Sequence, residues 1–273
     1  MSPSDKNLWQ ERSKAWAATA VQGISADDTF NQMIIAEACI QAGERILDLA
    51  SGTGNPAVSI AHSMNGHGNV VCTDLTPRML QTARERARNL ELGIMLFTAT
   101  DMASLPFKDN QFDAITCRFG IMFPKDKVAA AREAARVLKP GGRVAYIVWG
   151  AYEENPPFYV SRRAVADFFG TEEGAIPERH SLSTPGTLQK ILQEAGLEKV
   201  EERELRYKNR VDDIDDYVTR NLKRSFVEET KNLTASKFSA LKTAVIQAWQ
   251  PFIEDGVLQV PNYARLGLGW KTE

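Results

Sequence analysis

Apolar positions in residues 5–42 recur at helical rather than alternating spacing. Leu8, Trp9, Trp16 and Ala20 come first, and Phe30, Ile34 and Ala38 follow the break at "GISADD". Two amphipathic helices are predicted there. After "QAGE" the pattern changes to short apolar runs separated by helical segments. Strand "RILDLA" leads into a helix from Pro56 to about Met64, and strand "NVVCTD" into a helix from Pro77 to about Leu92. Strands "IMLFTAT" and "FDAITCR" precede the helix "KDKVAAAREAARVLK", which Pro140-Gly141-Gly142 stops before strand "RVAYIVWG". Strands alternating with helices form parallel βαβ units, so the expected fold is α/β, a Rossmann-like doubly wound sheet.

Beyond Gly150 the rhythm loosens. "AYEENPPF" is rich in turn residues, "YVSRRAVADFF" is helical, and a Gly/Pro stretch runs to about Pro185. "TPGTLQKILQEAGL" then predicts a capped helix ending at Gly196, and "EKVEERELRY" a strand. Residues 211–255 read as helical, with Tyr217, Leu222, Phe226, Phe238, Leu241, Val245 and Trp249 as apolar positions, and a last strand is placed in "NYARLGLGW". The expected organisation is an N-terminal helical lid at 1–42, a ligand-binding core at 43–150, and a completion of the sheet at 151–273 carrying helical insertions at 151–185 and 211–255. These additions are expected over the carboxyl ends of the strands, as a lid on a substrate pocket.

Composition adds exclusions. With 273 residues, 43% hydrophobic and 25% charged, the chain can bury a sizeable core. A formal charge of −2 gives no general electrostatic reason to bind nucleic acid. Cys39, Cys72 and Cys117 lack CxxC spacing, so neither a disulfide framework nor a metal site is expected, and the cytoplasm is the default compartment. The polar start "MSPSDKNLWQERSK" has no apolar signal core, and no window reaches 18 consecutive apolar residues, so no membrane span is expected.

The chemistry centres on "RILDLASGTGNPA", Arg45–Ala57. A glycine turn after the first parallel strand is where a doubly wound sheet takes an adenine-containing ligand. A P-loop would need GxxxxGK[ST], and Asn55, Pro56 and Ala57 follow the glycines instead. The dinucleotide pattern GxGxxG/A fits loosely, with Asp74 twenty residues past Gly54. Asp48 argues against a dinucleotide, because an acid inside the first strand would face a pyrophosphate across a shielded cleft. Pro56 also removes a backbone donor from the helix start. A ligand ending in an ammonium or sulfonium cation fits better, which describes S-adenosylmethionine. On that reading Asp74 accepts from ribose hydroxyls, Asp101 takes the adenine amine with Met102 on the ring, and the Cys117–Phe119 backbone, including Arg118, borders the methionine part.

The runs "ERILDLASGTGNPA", "VVCTDLTPRML", "TDMASLPFKDNQFDAITCRFGIMF" and "AREAARVLKPGGRVAYIVWG" resemble class I S-adenosylmethionine-dependent methyltransferases, in the branch that holds the ubiquinone/menaquinone-biosynthesis C-methyltransferases and many small-molecule methyltransferases. The resemblance is strong over about residues 40–150. It implies a seven-stranded sheet whose last strand is antiparallel. It also implies that Asp48, Gly52 and Gly54 surround the methionine moiety, Asp74 the ribose, and Asp101 and Met102 the adenine, with Leu75 and Met79 flanking. The turn residues Ala50 and Ser51, and Thr100 ahead of Asp101, complete the expected cofactor set. Ser51 stands where the family often has cysteine or glycine, a change a turn built from backbone tolerates.

Plainer readings stand beside these. Asp101 could simply cap the turn before "MASLPF". His62, His67 and His180 are read as solvent-facing. "NPPF", Asn155–Phe158, imitates a motif of amide- and nucleobase-methylating enzymes, but it follows the fifth strand rather than the fourth, so it reads as a turn. Methyl transfer from a sulfonium is an in-line displacement needing alignment and desolvation rather than a nucleophilic side chain. No base stands out. Arg118, Tyr152, Glu153 and Tyr159 are candidates near the expected methyl face, and Trp9, Trp16, Phe123 and Phe158 are candidates for lining the acceptor pocket. The expected partner is a small apolar or aromatic methyl acceptor. A cofactor-binding protein that does not methylate, and more distantly a dehydrogenase, remain alternatives.

Overall fold

The structure, a computed structural model, describes residues 28–272, so the first predicted helix with Trp9 and Trp16 lies outside them. The described chain runs α1 Thr29–Glu37, β1 Arg45–Leu49, α2 Ala57–Ser63, β2 Asn69–Asp74, α3 Pro77–Asn89, β3 Met95–Ala99, β4 Phe112–Arg118, α4 Lys127–Val137 and β5 Leu138–Trp149. It continues with α5 Pro156–Phe169, α6 Thr187–Glu194, β6 Glu198–Val211, α7 Ile214–Ser225, α8 Val227–Thr230, α9 Ala235–Ala248, β7 Ile253–Glu254 and β8 Val257–Trp270. None of the described helices is long and apolar enough to cross a membrane.

The sheet has the order β3-β2-β1-β4-β5-β8-β6, with the two-residue β7 added on β8. Strands β1 to β5 pair in parallel. The last strand is antiparallel, as expected: Gly141 N–H donates to Lys271 O and Gly150 N–H to Tyr263 O, so β8 numbers fall as β5 numbers rise. The order reverses between β1 and β4, the kind of switch point outside whose strand ends open α/β sheets take their ligands.

Two compact units divide the chain. One holds the residues up to Val148 with Thr184–Arg203 and the chain from Arg265, the other Trp149–Ser183 with Glu204–Ala264. In the first, α2 and α3 cover one face of β1–β3 with Val58, Ile60, Met64, Leu80 and Ala87 against Ile46, Val70, Cys72 and Met95. Each of these valine, isoleucine, leucine and methionine side chains taken fully from water contributes about 1.5–3 kcal/mol. On β8, Gly267 lets α6 lie close, since a Cβ there would stand 2.6 Å from Leu188. Helix α1 is fixed at its end by Arg143, which donates to Ala38 O at 2.5 Å and Cys39 O at 2.7 Å and pairs with Glu44. In the second unit α5, α7 and α9 bury Val160, Val218, Leu222, Leu241, Val245 and Trp249 together. An open groove of about 650 Å³ beside them is lined by Tyr159, Arg163, Phe168 and Phe252.

Within 211–255 the expected helices are α7, α8 and α9, while Val211 ends β6 and Ile253–Glu254 form β7 instead of helix. Phe226 leaves helical geometry at φ −128°, and Thr234 starts α9 afresh by accepting from Lys237 N–H. Strand β8 begins five residues before the predicted "NYARLGLGW" because Val257 and Leu258 pair with Glu254 and Ile253 of β7.

Candidate functional site

Asp48 is the third of four consecutive buried residues in β1, where both neighbours are strands. Its side chain has no exposure. Thr116, its register partner on β4, donates its hydroxyl to Asp48 Oδ1 at 2.6 Å, while Oδ2 has no partner among the described residues. Burial raises the Asp48 carboxyl to about 7 against the opposing pull of the Thr116 and Ser51 hydroxyls and the Arg118 charge. A buried oxygen left unbonded costs free energy that a cationic or hydrogen-bond-donating ligand would return.

The turn that follows is built from backbone. Ala50, Gly52 and Gly54 have φ of 51°, 54° and 102°, and Ser51 N–H donates to Thr73 O on β2 while its hydroxyl donates to Asp48 O. A side chain at Gly54 would meet Val58 at 3.0 Å and Ala83 at 3.3 Å. Asp74, at the end of β2, accepts from Gly52 N–H at 3.0 Å and Thr76 N–H at 2.8 Å, one bond per oxygen, leaving lone pairs on each for further donors. Burial raises its pKa more than these bonds lower it. Leu75 beside it is half-buried, and Met79 is buried in the first turn of α3.

Two supports of the turn escaped the sequence reading. Arg86 of α3, fully buried, donates Nη1 to Thr53 O at 2.6 Å and reaches Asn55 Oδ1 from both terminal nitrogens. Gly120, after β4, lies so close to the turn that a Cβ there would stand 2.5 Å from Ala50 Cβ and 2.8 Å from Cys117 Sγ. Arg86 did leave a signal: it falls on the apolar stripe of Met79, Ala83 and Leu90 at helical spacing.

The other strand ends carry the remaining predicted residues. Thr100 N–H donates to Asp74 O. Asp101 does cap its turn, accepting from Ala103 N–H at Oδ1 and from Ser104 N–H at its carbonyl, and it and Met102 are half-buried. Cys117 is buried, and burial pushes its thiol up, so it is an inert wall. Phe119 keeps the sheet bond to Ile147 O, then turns the chain at φ 58° with its ring edge-on to Phe30 of α1 at 5.0 Å. Arg118 gives Nη1 to Asp28 at 2.5 Å and to Asn31 at 2.8 Å, both at the start of α1. Phe123 is half-buried with its N–H on Gly120 O.

The remaining candidates belong to the second unit. The Tyr152 hydroxyl is bonded to Glu173 and to Arg162, and burial raises its pKa; burial also raises Tyr159, whose ring carries Arg163 at 4.6 Å. Neither has the lowered pKa of a ready base. Glu153 is exposed, and Phe158 packs edge-on against Trp149 at 4.7 Å. Asn155 of "NPPF" spends its amide on Ala151 O, Tyr263 O and Tyr263 N–H, which makes it a structural fastening. His62 and His67 are exposed as read. His180 is not: it is 5% exposed, bonded through Nδ1 to Gly150 O at 2.8 Å and enclosed by the Tyr152 and Phe158 rings. A loop position misled because the burial comes from residues 20 to 30 positions away. Among the described residues no group of three or more His, Cys, Asp or Glu could hold a metal.

Residues 17–160 match the ubiE/COQ5 methyltransferase family. The ubiquinone/menaquinone biosynthesis C-methyltransferase UbiE of Edwardsiella ictaluri is 40% identical over 106 residues, which cover 38% of this chain and 42% of that protein. The match thus spans about two fifths of that relative's length. Among solved structures, Haemonchus contortus phosphoethanolamine N-methyltransferase 2 in complex with S-adenosyl-L-methionine is 18% identical with TM-score 0.57, covering 90% of this chain and 53% of that one. The [4+2]-cyclase SpnF is 19% identical with TM-score 0.56, covering 91% of this chain and 83% of that one.

Proposed function

The chain belongs to the ubiE/COQ5 methyltransferase family, and from that premise we propose that it is an enzyme that moves the methyl group of S-adenosylmethionine to a C, N or O atom of a small apolar or aromatic metabolite. The observation that carries the reading is the buried, unpartnered Asp48 Oδ2 beside a turn whose backbone is left-handed at Ala50, Gly52 and Gly54. That pair of features fits a ligand with a positively charged amino acid end. Asp48, Gly52 and Gly54 would hold this end with Ala50 and Ser51, Asp74 the ribose, and Leu75, Met79, Asp101 and Met102 the adenine, with Thr100 and the Cys117–Phe119 backbone as borders. The cofactor supplies a methyl group already activated on a sulfonium sulfur. The chain's own residues then have to align an acceptor in line with it and exclude water.

Acceptor choice is assigned to the 151–185 and 211–255 segments, which carry Phe158, Tyr159 and Phe168. Exchanging these segments with those of a relative changes the acceptor; an unchanged acceptor range rejects that assignment. Unpaired Cys72 and Cys117 suit a reducing compartment such as the cytoplasm. Calorimetry with S-adenosylhomocysteine and with NAD tests the cofactor: no binding of S-adenosylhomocysteine rejects the reading. A labelled-methyl assay over quinols, phenols, indoles and amines tests the reaction.

A second reading has specific support. Neither Tyr152 nor Tyr159 is tuned toward a base, and the [4+2]-cyclase SpnF has a similar fold. Cofactor binding without labelled-methyl transfer to any acceptor in the panel would favour a non-methylating role.

A further inference from the structure

We propose that Asp28 and Asn31 hold the Arg118 guanidinium off Asp48 and so keep the open Asp48 oxygen free for a cationic ligand. This rests on the cofactor reading above for the identity of the ligand, and on the geometry of one sheet face for the rest. Asp48 and Thr116 are register partners, and Arg118 lies two residues beyond Thr116 on the same strand, so all three project from one face. Two residues of strand advance about 7 Å, within the reach of an arginine side chain. The Arg118 charge already acts on the Asp48 carboxyl, in the direction that favours its ionised form.

What draws Arg118 elsewhere is a holder that is itself fixed. Asp28 divides its carboxylate: Oδ1 caps α1 by accepting from Phe30 and Asn31 N–H, and Oδ2 pairs with Arg118 at 2.5 Å. Asn31 has no exposure and is anchored by its own Nδ2–H on Ser59 Oγ at 3.0 Å, which aims its Oδ1 at Arg118. Released from these oxygens, the guanidinium would find an unsatisfied buried carboxylate oxygen within reach, and a charge-assisted bond there is strong. It would then compete with the ammonium of a ligand for the same atom. Arg118 is on this account a positioning residue kept in reserve, and α1 is part of the cofactor site without touching the cofactor.

The substitution Asp28→Asn removes the charge that holds Arg118 but retains an oxygen to cap α1. S-adenosylhomocysteine carries the ammonium, and 5′-methylthioadenosine shares the adenosine part and lacks it. In Asp28→Asn, calorimetry should show S-adenosylhomocysteine binding weakened about tenfold or more with methylthioadenosine little changed, because only the former competes with Arg118. The double variant Asp28→Asn/Arg118→Met should recover the loss. In ligand-free protein, the Asp48 carboxyl carbon followed by NMR should titrate at lower pH in Asp28→Asn than in wild type, and at or above the wild-type pH in the double variant, which lacks the Arg118 charge. Equal losses for both nucleosides, no recovery in the double variant, or an unmoved Asp48 titration each overturn the proposal. Failure of the wild type to bind S-adenosylhomocysteine would instead overturn the cofactor reading, and the ligand-free titration would still decide this one.

Discussion

Replacing Asp48 by asparagine should stabilise the protein at pH 8 while crippling the site. Burial moves the Asp48 carboxyl from 3.8 to about 7. The folded state therefore holds a proton more tightly than the unfolded chain, so the neutral acid's favourable term is present in full below about pH 3.8 and is lost as pH rises to about 7. At about 1.4 kcal/mol per unit, the ionised form costs the folded state about 4 kcal/mol, an upper bound for a shift this large. Asparagine keeps an oxygen for the Thr116 hydroxyl and carries no charge, though its amide N–H is a buried donor without a partner, much like the O–H of the protonated acid. The difference between variant and wild type should be near zero at pH 4 and grow to about 3–4 kcal/mol by pH 8. Urea midpoints measured for both proteins in steps from pH 4 to pH 9 read this directly, since every other carboxylate is common to both and cancels. The same variant should bind S-adenosylhomocysteine at least about thirtyfold more weakly, as expected when one partner of a buried charge contact is removed. A stability difference that stays flat across that pH range would refute the account of Asp48 as an acid kept under strain for a cation.

Three further substitutions follow. Thr116→Val removes the bond at 2.6 Å to Asp48 Oδ1 and should cost about 1.5–3 kcal/mol at pH 8 and less at pH 5, where the acid is neutral, by denaturation at the two pH values. Gly120→Ala forces a Cβ to 2.5 Å from Ala50 Cβ, so it should destabilise by about 1–3 kcal/mol and weaken S-adenosylhomocysteine binding by displacing the turn; a melting curve and calorimetry check both. Asn155→Ala removes the bonds that Asn155 gives to Ala151 O and Tyr263 O and the one it accepts from Tyr263 N–H, and although both carbonyls keep a backbone donor it should cost about 1–3 kcal/mol while methylthioadenosine affinity stays unchanged, which separates fastening from a role in the site.

The parallel half of the sheet was legible because its inner strands β1, β2 and β4 are almost wholly buried and flanked by turn residues. "RILDLA" and "FDAITCR" could hardly be read as anything else, and the observed β1 and β4 fall within them. The acids were legible through position: Asp48 and Asp74 sit at the ends of β1 and β2, where a doubly wound sheet meets its ligand. The supports of the turn were not. Arg86 looks like one more charge in "ARERARN", and only packing against the turn gives it Thr53 and Asn55 as partners. His180 and Gly120 depend on contacts between distant segments, which no local pattern encodes. The helices after residue 211 were legible in kind, but the strand β7 at Ile253–Glu254 was not, because two residues carry no period.

The residues missed share a cause that bears on how this site works. On the proposed reading Asp48 carries the charge, Thr116, Asp28 and Asn31 bear on whether it is available, and Arg86 and Gly120 hold the turn beside it. A site for a cation needs an acid that is buried enough to be selective and yet not satisfied from within. Thr116 takes one oxygen and stops there; Asp28 and Asn31 occupy the arginine that would take the other. Changing Asp28 and changing Asp48 should therefore weaken the same ligand for opposite reasons, one by letting a cation in and the other by removing what attracts it. Only the loss caused at Asp28 can be reversed by removing Arg118; if Arg118→Met also rescued binding in Asp48→Asn, the arginine would be acting on the ligand directly and not through Asp48.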